Sequence, residues 1–153
     1  MASKLAWRRV AKSGAANIQE QEGTMTIHLD HLLVPSRDKV ASAKQLAELL
    51  GVPWSAAGGG PFVAVYLNDG LTLDFDQWRE PIPMIHYCFR VEPDDFTAIL
   101  GRLKAAGIAY RSDVHGEVDF RINTWGGGSL VYWNEPDGHQ WEMLTVSYAR
   151  QMV

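Results

Sequence analysis

Between residues 25 and 148 the alternation of apolar and polar positions follows one pattern written twice. The first copy opens with the apolar stretch TIHLDHLLVP, followed by SRDKVASAKQLAELLG. In that second stretch Val40, Ala43, Leu46, Ala47 and Leu50 recur at helical spacing, and Gly51 supplies a stop. The second copy opens with MIHYCFRV, followed by EPDDFTAILGRLKAAG. There Phe96, Ile99, Leu100 and Leu103 fall on one helical face, Pro93 stands where a missing N–H does no harm, and Gly107 closes the helix. His31 precedes Gly51 by 20 residues and His86 precedes Gly107 by 21, so the two copies also agree in spacing.

Strand-like runs and turn signals follow each helix. After the first come PFVAVYL, an Asn68–Asp69–Gly70 turn and LTLDFDQ. After the second come IAYRS, VDFRINTW, glycines 126–128, SLVYWN, a Pro136–Asp137–Gly138 turn and QWEMLTV. Asn-Gly and Asp-Gly turns between alternating runs predict hairpins. The expected fold is therefore α+β, with two βαβββ modules at about 25–80 and 84–148, each curling a mixed sheet around a hollow. The boundary is expected near Glu80–Pro83, where two prolines interrupt pairing.

Parity along the strands then sorts the candidate chemistry. His31 shares a face with Ile27, Leu29 and Leu33, whereas His28 points the other way. His86 opens the first strand of the second copy as His31 opens that of the first. Glu142 shares parity with Gln140 and Leu144, opposite His139, and stands between Trp141 and Met143. A carboxylate in an apolar strand is costly unless it is paired or bound to a metal. Two imidazoles and a carboxylate from three strands suit a first-row divalent ion with open positions. The residues alone also allow two histidines satisfied in the core and a glutamate at a sheet edge.

Composition narrows the classes. With 153 residues the chain is one domain's worth of sequence, and its formal charge of -4 argues against a nucleic-acid partner. The lone Cys88 excludes an intramolecular disulfide framework and fits a reducing, cytoplasmic setting. No apolar run reaches the roughly 20 residues that span a bilayer, so no membrane partner is expected. Residues 1–24, with Lys4, Arg8, Arg9 and Lys12 but no apolar core, are expected to be a flexible tail. Gly58–Gly60 and Gly126–Gly128 lack the Lys-Ser/Thr and helix of a phosphate loop and are expected to be connections.

LDHLLVPSRD around His31, IHYCFRV around His86 and YWNEPDGHQWEML around Glu142 together resemble the vicinal-oxygen-chelate superfamily. That superfamily holds glyoxalase I, fosfomycin-resistance transferases, extradiol dioxygenases and bleomycin-resistance proteins. The resemblance covers about residues 25–148 and implies that His31, His86 and Glu142 hold one divalent ion (Fe, Zn, Ni, Co or Mn). It adds Asp74, in LTLDFDQ, as a candidate fourth ligand, one methylene shorter than the family's glutamate. Glu142 becomes a candidate base, and Arg121, Trp125 and Tyr132 become candidates to touch a small-molecule substrate. The implied activity is a glyoxalase-like lyase or isomerase, or an extradiol-type dioxygenase. A metal-free, drug-sequestering protein of the bleomycin-resistance type is the alternative. The resemblance also implies a homodimer with the site at its interface.

Overall fold

The computed structural model describes residues 27–57, 60–79 and 81–149. The expected tail, Gly58, Gly59 and Glu80 lie outside them. Two βαβββ modules follow one another. The first runs β1 (His31–Ser36), α1 (Lys39–Leu50), β2 (Trp54–Ser55), β3 (Val63–Asn68) and β4 (Leu71–Gln77). The second runs β5 (His86–Arg90), α2 (Pro93–Ala105), β6 (Tyr110–Arg111), β7 (Leu130–Asn134) and β8 (Gln140–Leu144). Each makes a four-stranded sheet, in the orders β1-β4-β3-β2 and β5-β8-β7-β6. The first and last strands of each module pair in parallel, and the remaining pairs are antiparallel.

The helices begin and end where local chemistry allows. Asp38 caps α1 by accepting the Ala41 N–H, and Gly51 ends it in a left-handed conformation at φ 75°. The Arg102 side chain of α2 donates to the carbonyls of Leu49 and Leu50, tying the two helices at that end. One face of each sheet packs on both helices in a shared core of Val34, Leu46, Leu73, Phe75, Phe96, Leu103, Trp133, Trp141 and Met143. Trp141 lies between Tyr87 and Phe89, stacked at centroid distances of 4.5 and 5.6 Å. The sheets do not close on themselves, and the face of each turned from the helices carries the candidate ligands.

Two elements depart from expectation. Strand β1 begins at His31, so residues 27–30 are not strand. The run VDFRINTW forms no strand, only an isolated bridge between Asn123 and Leu130. The cause is local. Asp119 accepts from the backbone N–H of Ser112 and Arg121 and from the Ser112 hydroxyl, and Phe120 sits at φ 54°. Those side-chain bonds replace a strand ladder.

A polar clamp joins the modules. Asp137, in the β7–β8 turn, accepts from the hydroxyls of Ser36 and Ser42 and from the backbone and guanidinium of Arg37. Its side chain is 5% exposed. Nearby, His139 donates from Nε2 to the Pro35 carbonyl at 2.7 Å and accepts the Ile85 N–H on Nδ1 at 3.2 Å. Among the described residues no helix is long and apolar enough to cross a membrane. Asp137→Ala removes a charged acceptor shared by Ser36, Arg37 and Ser42 and leaves the buried Ser36 hydroxyl only its bond to Ser42, so urea unfolding is expected to show a loss of about 2–3 kcal/mol. A loss under about 0.5 kcal/mol, the size of an ordinary surface change, would contradict the clamp.

Candidate metal centre on two open sheet faces

Strand register places the site. In the second module His86 stands opposite Gln140, and Glu142 stands opposite both Cys88, across the parallel pair, and Tyr132, across the antiparallel pair of β8. All five therefore share the open face. His86 Nε2 lies 3.0 Å from Glu142 Oε2, and His86 Nδ1 lies 2.7 Å from Gln140 Oε1. Glu142 is completely buried on an inner strand. Its salt-bridge partner among the described residues is His86, and Tyr148 donates its hydroxyl to both carboxylate oxygens at 3.0 and 3.2 Å.

The carboxylate marks its neighbours. Desolvation, then Glu142, push the Cys88 thiol up to about 12. Desolvation also leads for Tyr148, pushed up to about 12, and for Tyr132, which is raised as well; Glu142 adds to both. These three groups stay protonated at neutral pH. The Tyr148 hydroxyl serves Glu142 as a donor, and Cys88 is not a thiolate nucleophile.

The first module repeats this layout. His31 opens β1, and Asp74 stands opposite Leu33, two residues further on. Glu142 likewise stands opposite Cys88, two residues beyond His86. Asp74 is thus the counterpart of Glu142 in the internal repeat, half-buried on its sheet's open face. His31 is exposed, with Nδ1 2.8 Å from Asp30 Oδ2. That bond, and after it the charges of Asp30 and Asp74, holds His31 above the ordinary imidazole value.

One chain brings His86 and Glu142 together but not His31. Among the described residues no three His, Cys, Asp or Glu side chains are placed to hold a metal ion. The donor chemistry nonetheless fits one. A buried carboxylate without a Lys or Arg partner among the described residues sits against an imidazole nitrogen, and that pair suits a first-row divalent cation. Of the candidate substrate residues, Trp125 is 58% exposed on a single 3-10 turn, edge-on to the Tyr148 ring at 6.1 Å. Gly128 lets this loop approach the chain after β8, since a Cβ there would come within 2.8 Å of Val146. Tyr132 is buried beside Glu142, its ring 6.2 Å from that of His86. Arg121 is exposed, its backbone N–H held by Asp119.

Sequence reasoning missed two members of this face. Gln140 was readable, since it shares parity with Glu142 and begins the same strand. Tyr148 lies six residues beyond Glu142, past the strand end, and no spacing rule points to it.

No family model matches the chain. The solved structure of oxidase ChaP-H2 is 40% identical, with TM-score 0.77, covering 81% of this chain and 97% of that one. Glutathione transferase FosA of Serratia marcescens is 28% identical over 133 residues, 82% of this chain and 85% of that protein. A glyoxalase/bleomycin resistance protein from Catenulispora acidiphila shares the fold, with TM-score 0.59 and 20% identity over 80% of this chain and 100% of that one. With a repeated βαβββ module, an open-faced His–Glu pair and these relatives, the chain belongs to the vicinal-oxygen-chelate (glyoxalase-like) superfamily.

Proposed function

We propose that this protein is a divalent-metal-dependent enzyme of oxidase or oxygenase type. Its substrate is a small molecule with two neighbouring oxygens on an apolar, aromatic body. The observation that carries the reading is the fully buried Glu142 carboxylate 3.0 Å from His86 Nε2 on an open sheet face. The name of the similar oxidase ChaP-H2 favours oxidative chemistry over the lyase and transferase branches.

His86 and Glu142 of one chain, His31 of a second copy and Asp74 as a fourth donor form the proposed ligand set. The pairing follows from supply, since one chain offers two converging donors and a catalytic site of this kind uses three. Leu33 and Tyr66, 46% and 40% exposed on the His31 face, are large apolar groups that a second copy would cover. When bound, the ion supplies a Lewis acid with open positions for the two substrate oxygens. Tyr148 holds the Glu142 carboxylate in place, and Glu142 is the candidate base. Trp125 and Tyr148 form an aromatic wall at the mouth, with Ile122, 42% exposed, on the segment leading to it. Arg121, on that same segment, is available to an acidic substituent.

Metal analysis of the purified protein after chelation and refilling is expected to give one ion per chain, lost in His86→Ala, with oxygen consumed in the iron(II) form on catechol-like aromatics. No ion under any loading would overturn the enzyme reading and favour a ligand-sequestering protein. The thiol beside the site gives an independent check. With a value near 12, Cys88 carries little thiolate at mildly alkaline pH, so iodoacetamide is expected to alkylate it about a hundredfold or more slowly than a free thiol. Glu142→Gln removes the charge that favours the neutral thiol and is expected to speed alkylation. Alkylation at the free-thiol rate would contradict the placement of Cys88 beside a buried carboxylate.

A further inference from the structure

The polar atoms around His86 form a directed chain. The Gln140 amide nitrogen lies 2.7 Å from the Val114 carbonyl, and a carbonyl can only accept, so this end of the amide is the NH2 group. The Gln140 oxygen is therefore the atom 2.7 Å from His86 Nδ1. Two bare acceptors at that separation repel, so Nδ1 carries a hydrogen. The nitrogen left to face Glu142 is Nε2, and a proton shared across that 3.0 Å contact is what a cation would displace.

We propose that Gln140 is a positioning residue: anchored on the Val114 carbonyl, it keeps a proton on His86 Nδ1 and thereby commits Nε2 as the donor to the ion. The assignment deepens the metal-centre reading and rests on it for its consequence, although the position of the proton is a property of the metal-free protein as well. A hydrogen bond from the distal nitrogen fixes the ring's tautomer and orientation and raises the basicity of the ligating one. Gln140 is 8% exposed, so water does not readily replace its oxygen. The anchor also makes the segment around Val114 part of the centre. Val114 packs on Leu130, Tyr132 and Leu144, the apolar cluster on this same open face.

The test compares two substitutions in the full-length protein. Gln140→Leu keeps the bulk but removes the acceptor. Gln140→Glu loses the donor to Val114 and keeps an oxygen for Nδ1–H. Zinc affinity, by competition with a chelating dye, is expected to fall about 10–100-fold in the leucine variant and to stay close to wild type in the glutamate variant. Urea unfolding of both variants is recorded alongside, so that loss of affinity is separated from loss of fold. Imidazole nitrogen NMR of the metal-free wild type at neutral pH is expected to show a slowly exchanging proton on His86 Nδ1, absent or fast-exchanging in the leucine variant. Equal loss of zinc in both variants would overturn the proposal, because the anchor to Val114 rather than the acceptor would then matter. A bare Nδ1 in wild type would overturn it too. A wild type that takes up no zinc yet shows the protected Nδ1 proton would sink the metal-centre reading and leave the role of Gln140 in placing the proton standing.

Discussion

The constraint on which the rest of the structure depends is a carboxylate with no water. Glu142 is completely buried on β8, an inner strand whose neighbours are β5 and β7. Leaving an ion there unpaired would cost far more than the roughly 5–15 kcal/mol by which a domain is stable. Among the described residues, its surroundings answer that cost with donors rather than with a lysine or arginine. Tyr148 reaches back from beyond the strand, and His86 faces it from the parallel strand. A structural glutamate would be satisfied more simply by a guanidinium. A carboxylate held by the Tyr148 hydroxyl and an imidazole can exchange the shared proton for a cation without rebuilding the site.

The fold serves that exchange by keeping two sheet faces open while the opposite faces are fully used. Both helices and the helix-facing sides of both sheets make one core, centred on Trp133, Trp141, Phe75 and Leu103. Rigid links then fix one module on the other. Asp137 and His139 hold the β7–β8 turn against the end of β1, the strand that carries His31. The donors on each face are thus positioned by strand register, the least adjustable element of the chain, and not by loops. The exception is Trp125, which rides on a glycine-rich 3-10 turn.

Much of this was legible in the sequence because it is written in periodicity. The two helices, the hairpin turns and the strand parity of His31 and Glu142 follow from spacings of 2 and 3.6 residues. The segment 117–124 was not legible, because Asp119 diverts its backbone hydrogen bonds and Phe120 takes a positive φ, events that alternation does not encode. Nor does periodicity report distances between modules. His31 and His86 occupy matching positions of a repeat, yet the fold places them on different faces. The parity of Gln140 with Glu142 is written in the sequence, whereas the anchoring of its amide on the Val114 carbonyl is a long-range contact that periodicity does not encode.

The central claim is that a complete ligand set needs two copies of the chain, and subunit complementation tests it most directly. His31→Ala and Glu142→Ala are each expected to lose tight zinc binding. When the two variants are unfolded together in equal amounts and refolded, mixed dimers form one face pair that is wild type throughout, and tight binding returns to about a quarter of the wild-type capacity, as two-fold symmetry requires. No recovery on mixing, or tight binding by His31→Ala alone, would contradict the account.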